Sequence, residues 1–286
     1  MVAIRRRRRS EDVEEPLEAP VDEPRAGTDV PEVPDEAPAE APDEDERPPF
    51  SLRNLAPLLL IRAAHPRQAV VTALAMGVAA ALAGRPTREL LLVAGTVLVG
   101  QSCLGWFNDL VDRKRDARHQ AAGKPVADGR LDPGTVWFWL AIGVFVVVPL
   151  SIANGVYAGS AYLLSLLAAV LGTWIWLRKG FFSWVPWAAS FGLFPAFLSY
   201  GGWAGEGAGG PPTIALTVLA ALLGIGVHVL RSLPGLVDDN KDGLTTFPLR
   251  IALRTGAPRL LLIAGLYTAA VSVGILIAAL RVGLVQ

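Results

Sequence analysis

Residues 90–118 read LLLVAGTVLVGQSCLGWFNDLVDRKRDAR, an apolar run that ends abruptly in three aspartates, Asp109, Asp112 and Asp116. As a helix, the run 90–107 is long enough to cross about 30 Å of hydrocarbon, which takes roughly 17–25 residues. In helical register the three carboxylates fall at i, i+3 and i+7, on one face, with Asn108 four residues before Asp112. Like charges so placed repel, and a membrane boundary enlarges that cost, so the stripe calls for a counter-charge.

Working outward, six more apolar runs of comparable length occupy residues 66–83, 136–152, 156–177, 181–200, 214–230 and 260–280. Backbone groups in lipid must be satisfied within their own segment, so these predict helices. The fold class expected is all-α, a polytopic transmembrane bundle of about seven spans around a central cavity. The hydrophobic share of 52% against 18% charged agrees.

The formal net charge of zero conceals two unlike parts. Residues 1–49 hold 7 Arg and 16 Asp or Glu, and the remainder reverses the balance. The first part, rich in Pro, Ala and acidic residues, cannot bury enough apolar surface to offset its ordering entropy and is expected to be a disordered tail. Its Arg5–Arg9 run is not followed by an apolar stretch, so it does not read as a signal peptide, and the acidic segment behind it argues against a nucleic-acid partner. Residues 50–286 form the expected membrane domain.

Lys and Arg gather after the second, fourth and sixth runs and thin out between the others. This places the N terminus and the basic segments on the cytoplasmic side of a cell membrane. A single cysteine, Cys103, excludes an internal disulfide and a Cys-based metal site. His65, His119 and His228 lack the spacing of a zinc or haem site.

Ten acidic residues follow the tail, and eight fall into two groups: Asp109, Asp112, Asp116, Asp128 and Asp132, then Asp238, Asp239 and Asp242. Mg²⁺ takes few protein carboxylates and completes its octahedron with water and phosphate oxygens, so two facing Asp groups suit a metal-bridged diphosphate. Lys124, Arg130, Arg178, Lys179 and Arg231 could neutralise the remaining phosphate charge. Trp106, Trp174, Trp176, Trp184 and Trp187 read first as an interfacial aromatic belt and second as a channel lining.

The stretch 108–131, NDLVDRKRDARHQAAGKPVADGRL, resembles the first motif of the UbiA superfamily of membrane prenyltransferases, of the 4-hydroxybenzoate polyprenyltransferase type. The stretch 231–256 is similar to that family's second Asp-rich motif, and Ile61-Arg62 before His65-Pro66 to the start of its first helix. The resemblance implies Mg²⁺-dependent transfer of a prenyl group from an isoprenyl diphosphate to an aromatic or lipid-type acceptor within the membrane, with release of pyrophosphate. It implies catalytic roles for Asp112 and Asp239, and metal ligation by Asn108, Asp109, Asp112, Asp116, Asp238, Asp239 and Asp242. Diphosphate contacts are implied for Asn108, Lys124, Arg178, Lys179 and Arg62.

Two departures stand out. Gly235 occupies the place where the second motif usually opens with Asp, and seven spans are two fewer than the family's usual nine, which leaves room for a partner chain or second copy in the cavity wall. Rival readings are a non-catalytic member acting as a lipid-binding or assembly partner, a CDP-alcohol phosphatidyltransferase, whose compact signature is absent, and a transporter, whose carboxylates would sit nearer the bilayer midplane.

Overall fold

The protein, seen in a computed structural model that describes residues 55–174, 176–203 and 209–282, has helices joined by turns and no strand among those residues. They belong to the unit Phe50–Gln286. The tail expected to be disordered, residues 1–49, lies outside the described residues.

Two helices, α1 (Ala56–Ala63) and α2 (Pro66–Leu82), meet at a sharp junction where His65 takes a left-handed conformation at φ 53° and Pro66 opens α2. Proline suits that first helical position because its missing N–H would have no partner there anyway. Next comes α3 (Thr87–Arg118), whose 32 residues rise about 48 Å, well beyond the hydrocarbon thickness. Its last three turns therefore stand clear of the apolar layer and carry the aspartates on continuous helix, in the register the sequence pattern predicted.

Four further elements complete the middle of the bundle. Asp132 caps α4 (Pro133–Ala153) by accepting a hydrogen bond from the Thr135 backbone at 2.8 Å. After α5 (Val156–Trp174), the expected fifth span is broken into a 3₁₀ turn at Phe181–Trp184, α6 (Val185–Gly192) and α7 (Phe194–Ser199). Pro195, at the second residue of α7, cannot donate the hydrogen bond that would carry the helix through Leu193. The sixth span, α8 (Ile214–Ser232), runs through a 3₁₀ turn at Leu233–Gly235 into α9 (Leu236–Lys241), so Asp238 and Asp239 also sit on helix and Asp242 caps its C-terminal end. Finally α10 (Phe247–Thr255) leads into α11 (Ala257–Val282).

Six segments are long and apolar enough to span a membrane, and α2 is a shorter apolar helix of 17 residues. The seventh expected span is thus present but short. Phe145, Ile214 and Leu280 expose 79%, 83% and 71% of their surface, which a water-soluble protein would bury and a lipid-facing helix need not. The protein is an integral membrane protein.

Packing follows chain order: α2 on α3, α3 on α4, α4 on α5, α5 on α6 and α7, α6 on α8, and α8 on α11. Tyr162 and Phe197 stack at 4.9 Å in a core with Val97, Val147 and Phe194. A second cluster of Leu59, Ala63, Val126, Leu131 and Val136 ties α1 to the segment between α3 and α4, beside the Asp-bearing turns.

Candidate active site

Asp109 lies at the centre of the first Asp group. Its side chain is 1% exposed; Oδ1 accepts a hydrogen bond from Lys124 Nζ at 2.6 Å and lies 2.8 Å from His65 Nε2. The left-handed turn at His65 aims that imidazole at α3, and the segment after α3 returns to deliver Lys124, which also lies 3.4 Å from Asp116. Arg178 grips Asp112 through both oxygens, at 2.5 and 2.8 Å, the fork-to-fork geometry that makes such pairs strong.

The second group meets the first through α3 itself. Arg115 donates to Asp239 at 2.8 Å and to Asp242 at 2.6 Å, and His119 lies 2.9 Å from Asp242 and 3.3 Å from Asp238. The hydrogen bond from Arg115, opposed by burial and helped by His119, holds the Asp242 carboxyl below its usual range. The counter-charge that the sequence demanded is therefore supplied largely by basic side chains. Arg115, His119 and His65 were not foreseen as site members, because pairs 44 or more residues apart leave no trace in local spacing.

Asp109 Oδ2 is buried with no partner, and Asp116 Oδ2 is buried with no hydrogen bond and only the Lys124 ammonium 3.4 Å away, a costly condition for carboxylate oxygens and one that a hard cation would relieve. Among the described residues no three His, Cys, Asp or Glu side chains are close enough together to cage a metal. Mg²⁺ does not require a cage: one or two carboxylates, water and ligand phosphate oxygens suffice. The first group fits such an ion.

A cavity of about 1510 Å³ opens beside these residues, larger than the roughly 300–1,000 Å³ of ordinary small-molecule sites. At one end it is lined by Asn108, Arg115, Arg178 and Asp239; Met76, Phe191 and Leu223 line its middle; Gly84, Arg85 and Pro211 line the other end. There Arg85 pairs with Glu89 at 3.0 Å, and Glu89 accepts the Trp203 backbone N–H at 3.1 Å. The shape suits an elongated apolar molecule with one strongly anionic end.

The other expected residues separate. Asn108, Arg178 and Asp239 line the cavity. Lys124 reaches a smaller adjoining cleft with Asp116 and Asp238. Arg62 is exposed over the turn at Gly123, and Lys179 is exposed with only its carbonyl engaged, by Thr245 at 2.9 Å; neither lines the cavity. Arg130 pairs with Asp128 at the surface. Trp106 donates to the Leu60 carbonyl at 2.9 Å and so pins α1 to α3.

Comparison with known proteins gives one family and one fold. The model of the UbiA prenyltransferase family matches residues 69–285. Similar solved structures include a UbiA homologue from Archaeoglobus fulgidus bound to DMAPP and Mg²⁺, at 17% identity and TM-score 0.56 over 75% of each chain. The same homologue bound to GPP and Mg²⁺ gives 17% and 0.56 over 77% of this chain and 86% of that one. A structure of digeranylgeranylglyceryl phosphate synthase gives 17% and 0.51 over 78% and 86%. None of the curated proteins is a significant match.

Proposed function

The chain belongs to the UbiA prenyltransferase family, and from that premise we propose that it transfers a prenyl group from an isoprenyl diphosphate to an aromatic or lipid-type acceptor in the membrane, with Mg²⁺. The observation that carries this reading is the buried, unpartnered Oδ2 of Asp109, with Asp116 Oδ2 buried and met only by Lys124 at 3.4 Å, beside a long apolar cavity. The A. fulgidus homologue, solved with a prenyl diphosphate and Mg²⁺, supports it.

The donor's diphosphate would lie among Asn108, Asp109, Asp112, Asp116 and the second group, with its prenyl chain along the apolar wall. Mg²⁺, which Asp109 and Asp116 would hold there, would supply positive charge to the diphosphate. Lys124, Arg178 and Arg115 exchange a carboxylate partner for a phosphate one, which matters most as charge grows on the leaving group. The C1–O bond breaks with its electron pair leaving on pyrophosphate, the acceptor bonds to C1, and the acceptor gives up a proton. Apolar residues around the chain keep water from capturing C1. Until the diphosphate arrives, Asp112 and Asp239 hold Arg178 and Arg115 at this end of the cavity. The Lys and Arg distribution supports a cytoplasmic position for this end.

One observation favours the non-catalytic alternative: Asp109, Asp112, Asp116, Asp238, Asp239 and Asp242 each already have a basic neighbour within 3.4 Å. The deciding experiment is pyrophosphate release by the detergent-purified protein, offered prenyl diphosphates and acceptors with and without Mg²⁺. Release that requires both Mg²⁺ and an acceptor, and vanishes in Asp112→Ala, is expected. Absence of release across the panel, with no Mg²⁺-dependent donor binding by a folded protein, would return the protein to the non-catalytic class.

A further inference from the structure

Four arginines line the cavity, and three are spoken for: Arg85 by Glu89, Arg115 by Asp239 and Asp242, and Arg178 by Asp112. Arg231 has no carboxylate partner among the described residues. It sits in the last turn of α8, exposed to the cavity, on the Asp239 side.

Its position is built. The Phe247 backbone N–H donates to Ser183 Oγ at 3.1 Å, and Ser183 Oγ lies 3.0 Å from His228 Nε2. The buried His228 ring stacks on Trp187 at 5.5 Å, and the Arg231 guanidinium rests over the same Trp187 ring at 5.4 Å. A charge present only to set membrane topology needs no such support; it would point to water or headgroups. Here an arginine of α8 sits over an aromatic ring of α6, and its side chain makes no hydrogen bond or ion pair among the described residues. Stacking satisfies the faces of a guanidinium but not its N–H groups, and a cation without an anion at a low-dielectric boundary is costly.

Gly235 completes the arrangement. It lines the cavity one turn beyond Arg231, and a Cβ added there would meet nothing within 4 Å. A carboxylate at that position would fall at i+4 from Arg231, the spacing of a helical ion pair. Glycine leaves the cation open.

We propose that Arg231 is the cavity's anion receptor, which contacts the diphosphate of the donor directly and without a metal ion between them. The proposal rests on the prenyl diphosphate reading of the cavity. Arg115 and Arg178 must give up a carboxylate to meet phosphate, whereas Arg231 gives up nothing, so it supplies donor affinity that survives removal of Mg²⁺.

The test is calorimetric titration of the full chain, in phosphatidylcholine nanodiscs, with inorganic pyrophosphate and with geranyl diphosphate, in EDTA and in Mg²⁺. The wild type is expected to bind both in EDTA. Arg231→Ala is expected to weaken that binding roughly 10- to 100-fold, the range for charge-assisted hydrogen bonds. Arg231→Lys should fall between, and Gly235→Asp, which leaves Arg231 in place but pairs it, should mimic the alanine variant. If the wild type binds neither ligand in EDTA, or if both variants bind as the wild type does, the proposal is overturned. Pyrophosphate binding that phosphatidylglycerol nanodiscs compete away assigns Arg231 to a lipid headgroup, which overturns it equally. Arg231-dependent binding in a protein that never releases pyrophosphate would keep the receptor and remove the transferase.

Discussion

Asp109→Asn is expected to lower Mg²⁺-dependent prenyl transfer by roughly 10²- to 10⁴-fold, the several kcal/mol that metal-held charge contributes at about 1.4 kcal/mol per decade. Asparagine keeps the size and can still accept from Lys124 through Oδ1, now 2.6 Å away. What it loses is the negative charge at Oδ2, the buried oxygen with no partner. If Asp109 were only the counterion of Lys124, the variant would chiefly leave that ammonium with Asp116 alone, at 3.4 Å, and lose stability, by at most about 3–5 kcal/mol. Adding Lys124→Met to the same chain separates the two roles. Removing both charges should restore the unfolding midpoint but not transfer or Mg²⁺ affinity. Recovery of transfer in the double variant would show that Asp109 acts through Lys124 alone.

Much of the molecule was legible from residues 90–118, because an apolar run of that length has few fates and three aspartates at i, i+3 and i+7 must share a face. The resemblance to the UbiA superfamily is confirmed by the family match over residues 69–285. The apolar run marked the span only as far as Phe107, whereas α3 continues to Arg118, where the chain has left the hydrocarbon and solvent and the second group accommodate its charges. Nor were the partners of the aspartates. The sequence required a counter-charge and suggested metal; the fold brings Arg115, Arg178, Lys124, His65 and His119 to those carboxylates from distant positions, and leaves two oxygens without a hydrogen bond. Lys179 and Arg62, assigned to phosphate through the motifs, lie outside the cavity lining. Trp187, read first as part of a belt, stands under Arg231.

Gly105→Val is expected to collapse both packing and chemistry at the α1–α2 junction. Gly105 lies on α3 four residues before Asp109, and a Cβ there would come under 3.0 Å from the O, C and Cα atoms of Ala64. These are backbone atoms, so no rotamer change relieves the contact; the junction itself must move. It carries His65, 2.8 Å from Asp109, and adjoins Leu60, whose carbonyl accepts from Trp106 at 2.9 Å. Helix propensity alone favours alanine over glycine by about 1 kcal/mol, so an unobstructed site would gain stability. Overpacking costs about 1–3 kcal/mol even where side chains can adjust, and a backbone clash should exceed that range for valine. Gly95, on the same helix, is the control, since a Cβ there meets nothing within 4 Å. Thermal unfolding in detergent should therefore show Gly95→Ala at or above the wild-type midpoint, Gly105→Ala below it, and Gly105→Val lowest, with donor binding weakened in the same order. Equal midpoints for the two alanine variants would mean that the junction yields without cost, and that the approach of His65 to Asp109 does not depend on the missing side chain.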